Sequence, residues 1–459
     1  MKNIKLFYIL LCTGLLFLTS LISCKKFVDI GAPQTQAEST KVFSSDATAT
    51  SAVVGLYYQM TANNLTFLNG AVTIYTGLSG DELSNVNPNS DYDAFKTNAI
   101  PSNNSTINSK FWSNAYKYIY QANTVLEGLQ NSATITDTVK NQLRGEMLFS
   151  RALNYFYLVN LFGDVPLISS TDYTINGSIP RTSTAKVDQQ IIADLTEAKQ
   201  LLTKNYSTST NVRPNQMAAA ALLARVYLYQ KDWVNAEAQA TALINSGAYS
   251  LENDLNKVFN NSSVETIFQL ARPTSNTAEG SVFIPGSTFN KPTFIVTNAL
   301  LNSFENGDKR KIAWLKSNTI SGTSYYYPYK YKIRNSTTVT EYYVVLRLAE
   351  IYLIRAEARA EQQKLNEALS DLNLIRNRAG LPNTNVTVQT DVLDAIMHER
   401  QVELFAEWGH RWLDLKRTGQ ANNVLSAFKG ANWQPADALY PVPLSQIQLN
   451  PFLTQNNGY

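Results

Sequence analysis

Ala349-Glu350-Ile351-Tyr352-Leu353-Ile354-Arg355-Ala356-Glu357-Ala358-Arg359-Ala360 sets Ala349, Leu353, Ala356 and Ala360 four, three and four residues apart. That interval lays side chains along one stripe of an α-helix. After a short break Ala368, Leu372 and Ile375 repeat it. The same pattern stands 132 residues earlier, where Met217, Ala221, Ala224 and Leu228 are followed by Ala236, Ala240 and Leu243. Each copy reads as two short helices facing each other, with alanine where the backbones approach closely.

Such a pair, with a small residue in each helix, resembles the tetratricopeptide unit. Two copies so far apart describe a helical scaffold interrupted by insertions rather than a continuous solenoid. Apolar spacing of three and four predicts further helices, giving in all 46–62, 107–130, 138–162, 185–203, 214–230, 232–246, 341–363, 365–379 and 391–417. Asp232 is placed to cap one of them, and Gly247, Gly380 and Pro382 to stop others. The fold class is therefore mainly α, a tetratricopeptide-like helical scaffold with long loop and short-strand insertions. Those insertions, 64–104 and 250–340, are rich in Asn, Ser, Thr, Gly, Pro and Tyr, with short apolar runs such as Thr266 to Leu270. Irregular segments held on a rigid scaffold are where binding surfaces usually lie. From Leu439 onward Pro441, Pro443 and Pro451 predict an extended tail wrapped on the body.

At the other end Lys2 and Lys5 precede an apolar run of 17 residues, Leu6 to Ile22, which closes on Leu21-Ile22-Ser23-Cys24. A positive start, an apolar middle and a cysteine in that place make a bacterial lipoprotein signal. The thiol receives a diacylglyceryl group, and the bond before it is then cut. A retained membrane helix is the alternative, since the run approaches what crosses roughly 30 Å of hydrocarbon, but it gives no reason for Leu-x-x-Cys. The chain thus divides into a leader, 1–23, a lipid-anchored leash, 24–45, an N-terminal helical region, 46–250, and a C-terminal region, 251–459. The last contains the loop insertion 251–340, helices over 341–430 and the tail. Cys12 falls in the leader, so the mature chain keeps Cys24 alone and has no internal disulfide. A formal net charge of +3, without a basic stripe, excludes a nucleic-acid partner.

Motifs for chemistry are few. His398 and His410 stand 12 residues apart, neither opens a His-Glu-x-x-His, and with no cysteine pair there is no zinc pattern. A Gly-x-Ser-x-Gly, a phosphate loop and a dinucleotide fingerprint are all missing. Asp91 and Asp93 lack the other ligands of a calcium loop. No catalytic residue, metal or cofactor is assigned. Glu399, Glu403 and Glu407, four apart, are expected on one helix face. Glycosidase carboxylates must flank a sugar from opposite sides of a cleft, whereas these would stack along one rod. Like charges at that spacing repel by roughly 0.2–0.5 kcal/mol per pair, so basic partners are expected, with Arg355, Arg359, Arg400 and Arg411 available.

Aromatic residues give the better lead. Tyr325, Tyr326 and Tyr327, followed by Tyr329 and Tyr331, crowd a polar segment near Trp314, and Tyr75 lies close to Asp81, Asn85 and Asn87. Flat rings against a pyranose face, with Asn, Asp and Arg reaching its hydroxyls, make a carbohydrate site. Tyr75, Asp81, Asn85, Asn87, Trp314, Tyr325, Tyr326 and Tyr327 are accordingly the candidate ligand-binding residues. The competing reading is strand alternation, in which every second tyrosine packs on the core.

Several segments in this order resemble the SusD/RagB family of outer-membrane nutrient-binding lipoproteins. They are Cys24-Lys25-Lys26-Phe27, Arg151-Ala152-Leu153, Leu161-Phe162-Gly163-Asp164-Val165-Pro166-Leu167, and Arg347 through Ala358. Asn373 through Gly380, Glu399-Arg400 with Glu403-Leu404, Arg411 through Arg417, and Tyr440-Pro441-Val442-Pro443 complete them. The resemblance implies a non-enzymatic lid for a TonB-dependent transporter of the SusC kind. Held in the outer membrane by acylated Cys24 and facing outward, it would capture an oligosaccharide or a peptide. These segments are scaffold and say nothing of the ligand. Lys25 and Lys26 before a lone Asp29 depart from the acid-rich start common in surface-exported lipoproteins. Two other classes stay open, a hydrolase of glycans or peptides using the same cleft, and a transporter adaptor with no small-molecule ligand.

Overall fold

The computed structural model describes residue 4, residues 39–272 and residues 274–459. The expected acylation site Cys24 and the expected leash up to residue 38 lie outside the described residues. Ser45 opens the scaffold, its hydroxyl accepting the Thr48 amide at 3.3 Å and so capping α1, Asp46–Thr61. The first insertion is expected to hold little helix, yet it contains α2, Ala71–Ser79, every residue of which is buried. Strand β1 follows at Leu83–Asn85. A π-helical turn at Ile107–Trp112 leads into α3, Ser113–Asn131.

The longest helix among the described residues, α4, Asp137–Phe162, is buried on all sides from Leu143 to Val159 apart from Arg144, because apolar residues occupy every face there. It lies between α3 and α5, Thr184–Leu201. Arg151 of α4 fixes that packing with a bidentate pair to Asp194 at 2.7 and 2.8 Å. Gly163, at φ 72°, ends α4, and the Asp164 carboxylate then accepts the Thr184 amide at 2.9 Å to start α5.

The first helix pair is α6, Gln216–Tyr229, with α7, Trp233–Asn245. Strands β2, Thr266–Leu270, β3, Phe294–Val296, β4, Leu315–Ile320, β5, Thr323–Pro328, and β6, Tyr343–Arg347, come next. The second pair is α8, Leu348–Glu361, with α9, Leu365–Arg378. These pairs are distant in sequence but neighbours in space, with α7 packed on α8 and Glu237 bridging to Arg359 at 3.0 Å and Lys364 at 2.6 Å. The repeats stack directly, and the insertion between them packs partly into the core.

Two predicted helices are corrected. The segment 341–363 begins as β6, because Tyr343 to Arg347 finds its backbone partners in β2, which precedes it by more than 70 residues. The segment 391–417 breaks into α10, Gln389–Glu403, and α11, His410–Arg417. Between them Ala406, Trp408 and Gly409 take positive φ of 50°, 48° and 72°. Buried Trp408 drives the break, since its indole N–H donates to Val344 O at 2.7 Å, its amide donates to Thr73 Oγ1 at 3.0 Å, and its ring stacks on Tyr343 at 4.4 Å.

The six strands form three two-stranded antiparallel ladders, β1 with β3, β2 with β6 and β4 with β5. One apolar core runs from Phe43 to Leu453, so the regions on either side of residue 250 share an interior. The tail lies on the body through Tyr440, whose amide donates to Leu161 O at 2.8 Å, and includes a short helix at Leu444–Leu449. Among the described residues no helix is long and apolar enough to cross a membrane.

Candidate functional site

Glu399 and Glu403 share one face of α10, but Glu407 lies beyond the helix end and returns to them through the positive-φ turn. Their partners are not the arginines expected. Arg310 meets Glu399 at 2.5 Å and Glu403 at 2.9 Å, and Arg347 meets Glu403 at 2.6 Å, Glu407 at 2.8 Å and Glu265 at 2.9 Å. Arg378 also pairs with Glu403, and Lys330 with Glu407. Arg400 instead holds Asp414, Arg411 holds Asp81, and Arg355 and Arg359 both hold Asp371. Distant segments bring the cations in, which helical spacing cannot show.

Burial alone would raise the Glu403 carboxyl, but Arg378, Arg347 and Arg310 override it and hold it well below the usual carboxylate range. Burial lowers Lys330 to about 8 despite Glu407 beside it. Glu399 and Glu403 are wholly enclosed, so no substrate reaches them. The cluster is an ion-pair network that ties α10 to the insertion.

Most of the predicted ligand residues lie inside. Tyr75 is fully buried, its ring 4.6 Å from Phe95 and 5.7 Å from Phe111, its hydroxyl accepting from Lys110 at 2.8 Å. Buried Asp81 is paired with Arg411 at 2.7 Å, and buried Asn85 donates to Asn87 O at 2.8 Å and Asp93 Oδ1 at 3.0 Å. Trp314 is in the core and donates to Leu255 O at 2.9 Å. Tyr327 is buried as well. These five are corrected to packing positions, because large rings and paired polar groups stabilise most when enclosed. Asn87 is exposed. Tyr325 and Tyr326 are half-buried and occupy opposite faces of β5, opposite Asn318 and Ser317 respectively.

A cavity of about 490 Å³ opens where the two insertions meet, between Asn64, the segment Ser275 to Thr277 with Arg272 and Ser281, and the loop Arg334 to Thr337. Asn276 frames it. Its amide donates to Thr338 O at 3.0 Å, and its carbonyl accepts the Thr340 and Glu341 amides, each at 3.0 Å. The Thr277 hydroxyl accepts Gly280 N at 3.1 Å and caps a short helix at Ala278–Phe283. A side chain at Gly280 would meet Ile333 O at 2.3 Å, so glycine is what lets the two walls approach. Asn64 donates to Ser281 Oγ at 3.3 Å and joins the insertions.

Beside this cavity runs the loop 285–291, since a Cβ at Gly286 would lie 3.9 Å from Arg334 Nε. Asn318 of β4 pins the loop by donating to Ser287 O at 2.9 Å and Asn290 O at 2.8 Å. Phe289 at its tip is 86% exposed, and Lys291 sits 5.2 Å above the Tyr325 ring. An exposed ring thus stands on a loop that adjoins the polar cavity. Arg272, Arg334 and Phe289 carry no sequence signal beyond their place in the second insertion.

A larger cleft, about 890 Å³, lies between the scaffold and the tail. Its charged groups are largely occupied by the fold, while the Tyr229 hydroxyl has no hydrogen-bond partner. Arg181 donates to Asp164 O, Thr454 O and Asn456, Lys416 to Asn160 O, and Gln230 to Asp188 at 2.6 Å. The ring of Tyr229 is covered by Arg417 at 5.3 Å. This cleft secures the tail and leaves little to offer a ligand.

Residues 26–228 match a family described as "Starch-binding associating with outer membrane", and residues 278–459 match the SusD family. Among curated proteins, SusD-like protein P25 of Formosa agariphila is 25% identical, over 96% of this chain and 97% of the relative. SusD-like protein P2 of the same organism is 27% identical, over 100% of each. A crystal structure of a SusD superfamily protein from Bacteroides vulgatus superposes with a TM-score of 0.80, covering 90% of this chain and 99% of that one at 21% identity, which shows a shared fold. With two matches that together span most of the sequence, relatives aligned from end to end and a common helical architecture, this chain belongs to the SusD/RagB family.

Proposed function

We propose that this protein is a non-catalytic receptor that captures an extracellular oligosaccharide at the cavity between the two insertions. It is held to the outer membrane through acylated Cys24 and delivers its ligand to a TonB-dependent transporter of the SusC kind. The observation that carries the reading is the pairing of a polar cavity with the exposed ring of Phe289 on the adjoining loop, beside which Tyr325 stands half-buried under Lys291, the two chemistries a sugar requires. The family description of starch binding at the outer membrane supports it. The glutamates that could have served hydrolysis are enclosed by arginines, which weighs against a hydrolase built on them. As a lid, the protein would gain coupling only to the extent that ligand prefers the closed state.

Affinity electrophoresis across a panel of polysaccharides tests this. At least one glycan is expected to retard the protein, with Phe289→Ala and Tyr325→Ala each weakening retention about 10-fold, in line with roughly 1–1.5 kcal/mol for an aromatic contact, while circular dichroism stays unchanged. Retention unaffected by both substitutions would move the site elsewhere, and no retention on any glycan would favour the adaptor reading.

A further inference from the structure

The distribution of arginine partners identifies one more property of this cavity. All sixteen arginines of the chain lie among the described residues. Thirteen of them form ion pairs with Asp or Glu, from Arg144 with Glu197 to Arg417 with Glu357. Arg181 is one exception and is occupied by the tail. The other two are Arg272 and Arg334, and both line the cavity between the insertions.

Each makes a single backbone contact there, Arg272 with Asn276 O at 3.3 Å and Arg334 with Ser281 O at 3.4 Å. The remaining walls are Asn, Ser and Thr, and among the described residues no carboxylate lines the cavity. Both arginines are partly withdrawn from water, which is costly for a cation without a counter-charge. The acid that bears on Arg272 electrostatically is Glu279, which is itself buried. Burial raises that carboxyl to about 7, so it supplies an incomplete counter-charge in neutral water. A guanidinium presents a planar fork that matches carboxylate and sulfate.

We infer that the cavity is built for an acidic oligosaccharide, one bearing carboxylate or sulfate groups that pair with Arg272 and Arg334 while Phe289 and Tyr325 receive the sugar faces. This rests on the reading of the cavity as the glycan site and adds the class of glycan. Neutral starch-like chains would leave both guanidiniums unpaired.

The test uses the full chain with four probes, which are polygalacturonate, chondroitin sulfate, amylopectin and inorganic sulfate, followed by titration calorimetry. At least one acidic polymer is expected to bind, with affinity falling about 10-fold or more in Arg272→Ala and in Arg334→Ala, as for loss of a charged hydrogen bond. Binding should weaken in 1 M NaCl, where the Debye length is about 3 Å, and Arg334→Lys should retain part of it. Unchanged melting temperatures exclude misfolding. Binding of amylopectin alone, unaffected by either substitution, would overturn the inference and leave the glycan receptor standing. Inorganic sulfate bound as tightly as any polymer would reduce the cavity to an anion site and overturn it too. No binding by any of the three polymers would remove the receptor reading itself, and this inference with it.

Discussion

Glu403 shows how far a residue's identity falls short of its role. Its carboxylate accepts from Arg310, Arg347 and Arg378, each delivered by a different segment, and it is wholly buried. Removing one partner of a buried pair leaves charges uncompensated, so Glu403→Gln should lower stability by roughly 3–5 kcal/mol at pH 7. The pH dependence has a fixed sign. Because the folded carboxyl titrates well below its ordinary value of 4.5, its contribution is present above that value and is lost as the pH falls toward the folded one. The deficit of the variant should therefore shrink in acid. Urea denaturation at pH 7 and pH 4 measures both, and a wild-type midpoint in the variant would show that the network holds nothing. Glutamates spaced at four are legible as a cluster needing cations, but the identity of the cations is not, since Arg310 and Arg347 are 93 and 56 residues away.

Among the elements, α6, α7 and α9 are readable to within a residue or two, and α8 in its alanine stripe though not in its start, because those stripes repeat the period of the helix itself. The failures share a cause. Strand β6 carries apolar residues that run without a break into α8, and only β2 turns Tyr343 to Arg347 into a strand. The α10–α11 junction likewise looks continuous until Trp408 is buried. Its geometry depends on Gly409, whose φ is 72° and whose added Cβ would lie 2.4 Å from Thr76 Oγ1. Gly409→Ala should then cost at least about 1–3 kcal/mol, the range for a strained backbone, with thermal unfolding as the measurement. A neutral outcome would mean that α2 can move away from the turn.

At the scale of the whole molecule, the proposed lipid at Cys24, leash and body would divide the work of attachment and capture. A tether raises the local concentration of the body at its partner without adding a contact. Cys24→Ser should leave glycan affinity unchanged in the purified protein while moving the protein out of the membrane fraction. Persistent membrane association in that variant would show that the signal has been misread. The insertions are recognisable from composition as surface-forming segments, yet five of the eight ligand residues drawn from them are interior. Composition reports that a segment is irregular, and it does not report which of its side chains the rest of the chain will cover.

The sequence by itself determined what depends on neighbours along the chain, namely the helical periods, the two alanine-lined pairs and the ordered motifs of the family. These are local because a helix closes its hydrogen bonds within four residues. Tertiary structure alone decided the rest. It stacked the two distant pairs on each other, paired β2 with β6, enclosed Glu403 among arginines and placed Arg272 and Arg334 in one cavity that has no carboxylate among the described residues. Burial and ion pairing are properties of what surrounds a side chain, and here the surroundings come from segments dozens to hundreds of residues apart.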